Sequence, residues 1–393
     1  MTLMQGSPPP REAQVTLANW RSAPFNRWAF HHVRELIATA PIRRGETPWA
    51  LPRRPRRIER ITFQDRDGKS HQLGRALAHT FTDGFIVLAN GHIVAERYEH
   101  GMRADDPHIL MSISKSLTAA LVGILAARGV LDPASLVTDH VPELRDTAYA
   151  GASVQQLLDM RVASDFVEDY DATSGIMIEY RAASGWNPAP PGGVPGDLRA
   201  FLRRVGPQGA HGGPFKYTSP NTDLLGWVIE RAAGARLPDL MARELWAPMG
   251  AEFDAYITVD RLGAPRTAGG ICVSLRDLAR VGQMLLQHGV ANDRQVLPAA
   301  WVDDTTTGGD AQAWRDGSFG YLLPGGRYRN KWYQVGDDLG SFLGIGIHGQ
   351  FLFVAPGANV VIARFASHPV PLDAPSEILI IEAMGALARA LAN

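Results

Sequence analysis

Hydrophobic positions along this chain of 393 residues recur with two different periods. Between 85 and 96, the β-rich runs Phe85-Ile86-Val87-Leu88 and Ile93-Val94-Ala95 flank Asn90-Gly91, a pair suited to a tight turn, and predict a β-hairpin. From 112 onward the period lengthens. Leu117, Leu121, Ile124 and Leu125 fall at helical spacing with alanines between them, which predicts a buried helix starting at Ser112 and stopping at Gly129. Further helices are predicted over 153–160, 197–205, 220–233 and 276–287. For the third, Ser219 suits the N-cap, Pro220 the first position and Gly234 the C-cap. Apolar or aromatic runs at 331–335, 342–347, 350–354 and 359–366 predict strands, and a last helix is predicted over 376–391.

Strands near both ends and helices in the middle predict an α+β architecture: an antiparallel sheet flanked by N- and C-terminal helices, with an inserted helical domain. The expected boundaries are a flexible segment at 1–18, an α/β domain with a central antiparallel sheet from 19–133 and 266–393, and a mainly helical insert at 134–265. Residues 40–80, rich in Pro and Arg, are expected to be irregular, and 187–196 to form a long loop beside a site.

Composition narrows the function without naming it. Hydrophobic residues at 45% and charged residues at 20% suit a globular chain, and a net charge of −1 gives no global field that would recruit nucleic acid or an acidic membrane. The run Arg53-Arg54-Pro55-Arg56-Arg57 reads as a solvated surface segment. Cys272 is the single cysteine, so no intrachain disulfide forms, and no apolar run of about 18 residues predicts a membrane span. A cytoplasmic location is therefore expected. His31, His32 and Glu35 lack metal-ligand spacing, so no metal is expected. Gly344-Ile345-Gly346-Ile347-His348-Gly349 matches a dinucleotide-binding pattern in letters only. A strand follows it rather than a helix, so no cofactor is expected.

The chemistry is concentrated in three pieces. In Ser112-Ile113-Ser114-Lys115, serine and lysine share one face of the predicted helix. A serine hydroxyl needs a neighbouring base, and burial disfavours the charged form of a lysine that could serve as one. Tyr217, just before the predicted helix at 220, supplies a phenol able to relay a proton. The glycine-rich strand around Gly344 and Gly346 suits close approach of a substrate backbone, and the Ile347 amide could pair with that of Ser112 to bind an oxyanion. His348 could assist proton transfer, although a structural histidine is the stronger reading.

Taken together, Ser-x-x-Lys, the Tyr217-Thr218-Ser219 triplet and the glycine-rich strand resemble the serine β-lactamase-fold hydrolases. Leu110 to Ser116, Gly129-Val130-Leu131-Asp132-Pro133, Val141-Pro142-Glu143-Leu144, Asn26-Arg27-Trp28-Ala29-Phe30 and Asp277 to Gly282 are similar to the 6-aminohexanoate-dimer (nylon-oligomer) hydrolases, with family VIII-type carboxylesterases nearby. The resemblance implies an acyl-enzyme on Ser112, with Lys115 as its proton partner and Tyr217 as general base and acid. It also implies an oxyanion hole from the Ser112 and Ile347 amides. Tyr170 matches a substrate-contacting tyrosine, Trp186 and the following loop would wall the acyl pocket, and Ser219 and His348 would face substrate. There are departures. Ser219 stands where β-lactamases usually carry Asn, and Gly344 where they carry Lys, which removes a cation expected to hold a β-lactam or peptide carboxylate. Arg181 stands where the nylon-dimer enzymes can carry an acid that meets a substrate ammonium. The expected substrate is therefore a small carboxylic ester or a short linear amide. A β-lactamase or D,D-peptidase is the first alternative, and a non-catalytic ligand-binding homologue the second. A homodimer is a further expectation of the resemblance.

Overall fold

A computed structural model describes residues 2–189 and 196–392. Most of the loop expected at 187–196 lies outside the described residues.

The architectural core is a seven-stranded antiparallel sheet. Its strands are β1 (Thr82–Ala89), β2 (His92–Tyr98), β3 (Arg327–Arg329), β4 (Trp332–Gln334), β5 (Phe342–Gly346), β6 (Gln350–Ala355) and β7 (Val360–Ala366), in the order β3-β4-β5-β6-β7-β1-β2. The principal helices are α1 (Ile113–Ala127), α2 (Pro220–Ala233), α3 (Leu275–Leu286) and α4 (Ala374–Leu391). The predicted hairpin is β1–β2, and Asn90 (φ 51°) and Gly91 (φ 74°) both adopt the left-handed conformation its turn requires.

Alternation along the central strands divides the apolar side chains between two cores. Leu343, Phe353, Ile362 and Val87 stand opposite one another across four strands and face α4, packing with Ile380, Met384 and Leu387. Their neighbours Leu352, Val361 and Ile86 face the other way, toward α3. There Gly282 allows the close approach: a Cβ at that position would lie 2.4 Å from Val361 Cγ1. A sheet buried on both faces has near-continuous apolar strands, which is why these runs were legible.

A second, four-stranded antiparallel sheet is made of Thr39–Ile42, Ala255–Thr258, Ile271–Val273 and His108–Ile109. It corrects one expectation. Residues 40–80 hold part of this strand, a short hairpin (Thr62–Gln64 with Ser70–Gln72) and a helix (Leu73–His79), rather than irregular chain. Ala255–Thr258 is a strand within the segment expected to be mainly helical, whose other elements are helices. Within the N-terminal segment expected to be flexible, Ala13 and Val15 are buried, and Val15 shares a third core with Trp20, Phe30 and Trp186, while most of the other residues there are exposed.

Several helix ends follow the sequence. Ser153 and Gln156 form a reciprocal capping box, and Gly234 (φ 62°) closes α2. Ser219 does not cap α2 with its side chain as expected. Its own backbone is already helical, and its hydroxyl turns to Glu168.

Candidate active site

Ser112 is placed by a sharp change of direction ahead of α1. Met111, a non-glycine residue, sits at φ 48°, an uncommon conformation that the surroundings must hold in place. They do so through the Leu110 amide, which donates to Ile271 O at 2.8 Å, and through Ser114 Oγ, which accepts from the Ile271 amide at 3.1 Å. Strand β5 closes the other side. A Cβ on Gly346 would stand 2.5 Å from Leu110 O, and one on Gly344 would stand 3.3 Å from Ile113 and Ser116, so both glycines allow the strand to lie against the serine turn.

Ser112 and Lys115 meet as the helical spacing predicts. Lys115 Nζ lies 2.9 Å from Ser112 Oγ and 2.6 Å from Ala268 O. The lysine is buried, and its ammonium carries no direct carboxylate partner among the described residues. Burial lowers its pKa to about 7; Glu168 opposes this fall, Arg266 reinforces it and Asp223 opposes it. The Tyr217 ring lies 5.0 Å from Nζ. Burial pushes the Tyr217 phenol up, with Glu168 adding to the rise, while contacts with the Ser112 and Tyr170 hydroxyls act in the opposite direction. The amine, rather than the phenol, is thus the group that loses its proton near neutral pH.

The backbone amides of Ser112 and Ile347 donate to no protein acceptor among the described residues, and both residues line the same two cavities. Two N–H groups beside a serine oxygen can hold a developing negative charge.

Those cavities lie on either side of Ser112 and share only Ser112, Tyr170, and Ile347. One is walled mainly by Tyr217, Phe319, Leu322, Tyr333 and Ile345, with Glu377 in its wall. Phe319 packs at a tilt against Tyr217, with ring centroids 5.3 Å apart. The other holds Arg21, Glu168, Arg181, Trp186, Ser219 and Arg266.

The structure brings together Ser112, Lys115, Tyr217, Tyr170, Arg181, Trp186, Ser219 and Ile347. Trp186 is held by its indole N–H on Thr258 Oγ1 at 3.0 Å and by an edge-on contact with Trp20. Ser219 is held by Glu168, which accepts from its amide at 2.8 Å and its hydroxyl at 2.6 Å. His348 is the exception. It lines neither cavity. Its Nδ1 lies 2.7 Å from His368 O, its ring packs on Phe30, and burial lowers its pKa to about 4. It is a neutral structural histidine that shapes the turn after Ile347.

The residues that sequence reasoning missed supply the electrostatics. Asp223 pairs with Arg266 and accepts from the Ala268 amide at 2.8 Å. It thereby positions the carbonyl that binds Lys115. Glu168 is two residues before Tyr170 and offered a local signal. Arg21 and Arg266 are remote in sequence from Ser112 and offered none.

The fold and this arrangement define a hydrolase built on the β-lactamase and penicillin-binding-protein plan, and the chain belongs to the Beta-lactamase family, whose profile matches residues 65–383. It is related to the 6-aminohexanoate-dimer hydrolase of Paenarthrobacter ureafaciens, with 40% identity over 360 residues covering 91% of this chain and 89% of that one. A solved Bacillus anthracis structure, provisionally named as a 6-aminohexanoate-dimer hydrolase, superposes with a TM-score of 0.87 at 26% identity and covers 97% and 98% of the two chains. A family VIII carboxylesterase shares the fold, with a TM-score of 0.58 at 17% identity over 80% of this chain and 96% of the other.

Proposed function

We propose that this chain is a metal-independent serine hydrolase that cleaves small carboxylic esters and short linear amides through an acyl group on Ser112. The observation that carries the reading is the buried Lys115 amine, 2.9 Å from Ser112 Oγ and with a pKa lowered to about 7. A neutral amine there can donate to Ala268 O and still present its lone pair to the serine hydroxyl.

In the proposed cycle, Ser112 Oγ attacks the substrate carbonyl carbon as its proton passes to Lys115 Nζ. The Ser112 and Ile347 amides hold the resulting oxyanion. On collapse, the bond to the leaving alkoxide or amine breaks. The Tyr217 phenol gives that group a proton and is reprotonated from the Lys115 ammonium. Water then attacks the acyl carbon, loses its proton to Lys115, and Ser112 Oγ leaves with a proton. The balance is ester or amide plus water to acid plus alcohol or amine. Tyr170, at the junction of both cavities, orients the scissile group. The missing lysine at Gly344 weighs against a β-lactam substrate.

The test is the initial rate on a short-chain 4-nitrophenyl ester with wild type and Ser112→Ala, together with intact-mass measurement under rapid quench. Ser112 dependence of about 10⁴-fold in kcat and a mass increment equal to one acyl group are expected. Equal rates for the two proteins would reject the assignment.

A further inference from the structure

The two cavities differ in the charge they leave unanswered. Arg181 is buried, and its guanidinium meets only carbonyls: Nη2 donates to Tyr170 O at 2.8 Å and Nη1 reaches Ala172 O at 3.5 Å. Arg21 donates to the Asn187 side chain and lies over the rings of Trp20 and Trp186. The Nε of each is buried without a partner. Neither has a carboxylate within 4.0 Å among the described residues, in contrast to Arg266 in the same cavity, which is paired with Asp223.

The carboxylate already in this cavity does not answer them. Glu168 is engaged by the amide and hydroxyl of Ser219 and by the Tyr170 hydroxyl. Glu168 and Asp169 act on Arg181 only at a distance. Burial first, then the like charges of Arg181 and Arg266, lower the Arg21 pKa to about 9. Two desolvated guanidiniums with open donors form an unfavourable arrangement unless an anion joins them.

Resting on the acyl-enzyme reading above, we propose that Arg21 and Arg181 form a carboxylate-binding subsite, and that the acyl arm of the substrate carries a terminal carboxylate. The planar donors of arginine suit a carboxylate by geometry as well as by charge. One cavity is lined both by these arginines and by Ser112 and Ile347, so the anion and the scissile carbonyl belong to one short chain. The substrate class is then a monoester or monoamide of a short dicarboxylic acid. Its uncharged leaving group occupies the aromatic cavity beside Phe319 and Tyr333. An arm ending in an ammonium is disfavoured in the arginine-lined cavity by like charge.

Mono-4-nitrophenyl adipate and 4-nitrophenyl hexanoate have acyl chains of the same length and differ in the terminal carboxylate. Wild type should prefer the adipate ester by about tenfold or more in kcat/KM, and salt should erode that ratio. Arg181→Gln and Arg21→Gln should each reduce the ratio about tenfold, and Arg181→Lys should restore part of it. A ratio near one in wild type, or a ratio unchanged in both glutamine variants, overturns the proposal. Calorimetric binding of adipate to Ser112→Ala, with hexanamide as the neutral control, separates the two readings. Adipate binding that disappears in Ser112→Ala/Arg181→Gln supports the subsite even where neither ester is turned over, an outcome that would reject the hydrolase assignment alone. No adipate binding rejects the subsite even where hexanoate ester is cleaved.

Discussion

The cavity walled by Phe319, Leu322 and Tyr333 and the cavity walled by Arg21, Arg181 and Trp186 are close in size and meet at the same serine, yet they are built from different material. Apart from the shared Ser112 and Tyr170, the aromatic cavity draws its walls from chain 217–377: Tyr333 and Ile345 are set by the register of β4 and β5, and Phe319 and Leu322 come from the loop before β3. The arginine-lined cavity draws on residue 21, on 168–186 and on the turn at 266–269, which are separated in sequence and joined mainly by polar contacts. One cavity offers shape and apolar area, the other charge. On the function proposed above, the discrimination between substrates falls to these two linings and the shared chemistry to α1 and β5.

Changes to the shared residues should disable both cavities at once, and they carry the largest effects. Lys115→Met removes the proton acceptor and should lower kcat by about 10³-fold or more on either type of substrate. The accompanying pH profile has a definite sign. Lys115 accepts a proton only when neutral, and its pKa is lowered to about 7, so the wild-type rate should rise with pH through about 7 and then level. Residual activity in Lys115→Met should lack that limb; a variant that kept it would place the titrating group elsewhere.

Gly346→Ala is expected next. Its Cβ would stand 2.5 Å from Leu110 O and push β5 away from the serine turn. Because that shift moves the Ile347 amide relative to Ser112, kcat should fall about 10²-fold for neutral and anionic esters alike, with circular dichroism reporting a retained fold. A loss confined to one substrate would show that the two cavities do not share one oxyanion site.

Phe319→Ala trims a single cavity. It should lower kcat/KM about tenfold for an aryl ester and much less for a methyl ester of the same acid, since the lost contact is apolar area around the leaving group. Equal losses on both esters would mean that Phe319 acts through Tyr217, whose ring it meets at 5.3 Å. The smallest effect concerns Glu377, which burial raises to about 7 in the wall of the aromatic cavity. Above that pH its carboxylate should ionise and make the cavity less hospitable to an uncharged aryl group, raising KM about two- to threefold. Glu377→Gln should abolish that rise and leave the Lys115 limb in place.

Several features were legible because they are local. The Ser112–Lys115 contact follows from three-residue spacing on a helix, and the β1–β2 turn follows from Asn90-Gly91. Others were misread because a distant partner competes with the local one. Ser219 has the residue type of an N-cap, but Glu168, 51 positions upstream, takes both its amide and its hydroxyl. Thr39–Ile42 contains a proline and has no long apolar run, yet it pairs with Ala255–Thr258 more than 200 residues on. For His348 the structural reading favoured from the sequence fits the fold, where its ring nitrogen meets the carbonyl of His368; its expected place against substrate does not.

The sequence by itself determined the strands of the central sheet, the principal helices, the family and the candidates for the reacting groups, because hydrophobic period, turn dipeptides and helical spacing are properties of short stretches of chain. The tertiary structure alone decided the electrostatic character of the site. An arginine in a sequence has no preferred partner. Folding brought Asp223 to Arg266 and gave Arg181 only carbonyls, and that choice, made between residues far apart in the chain, sets which charge the cavity leaves for a substrate to answer.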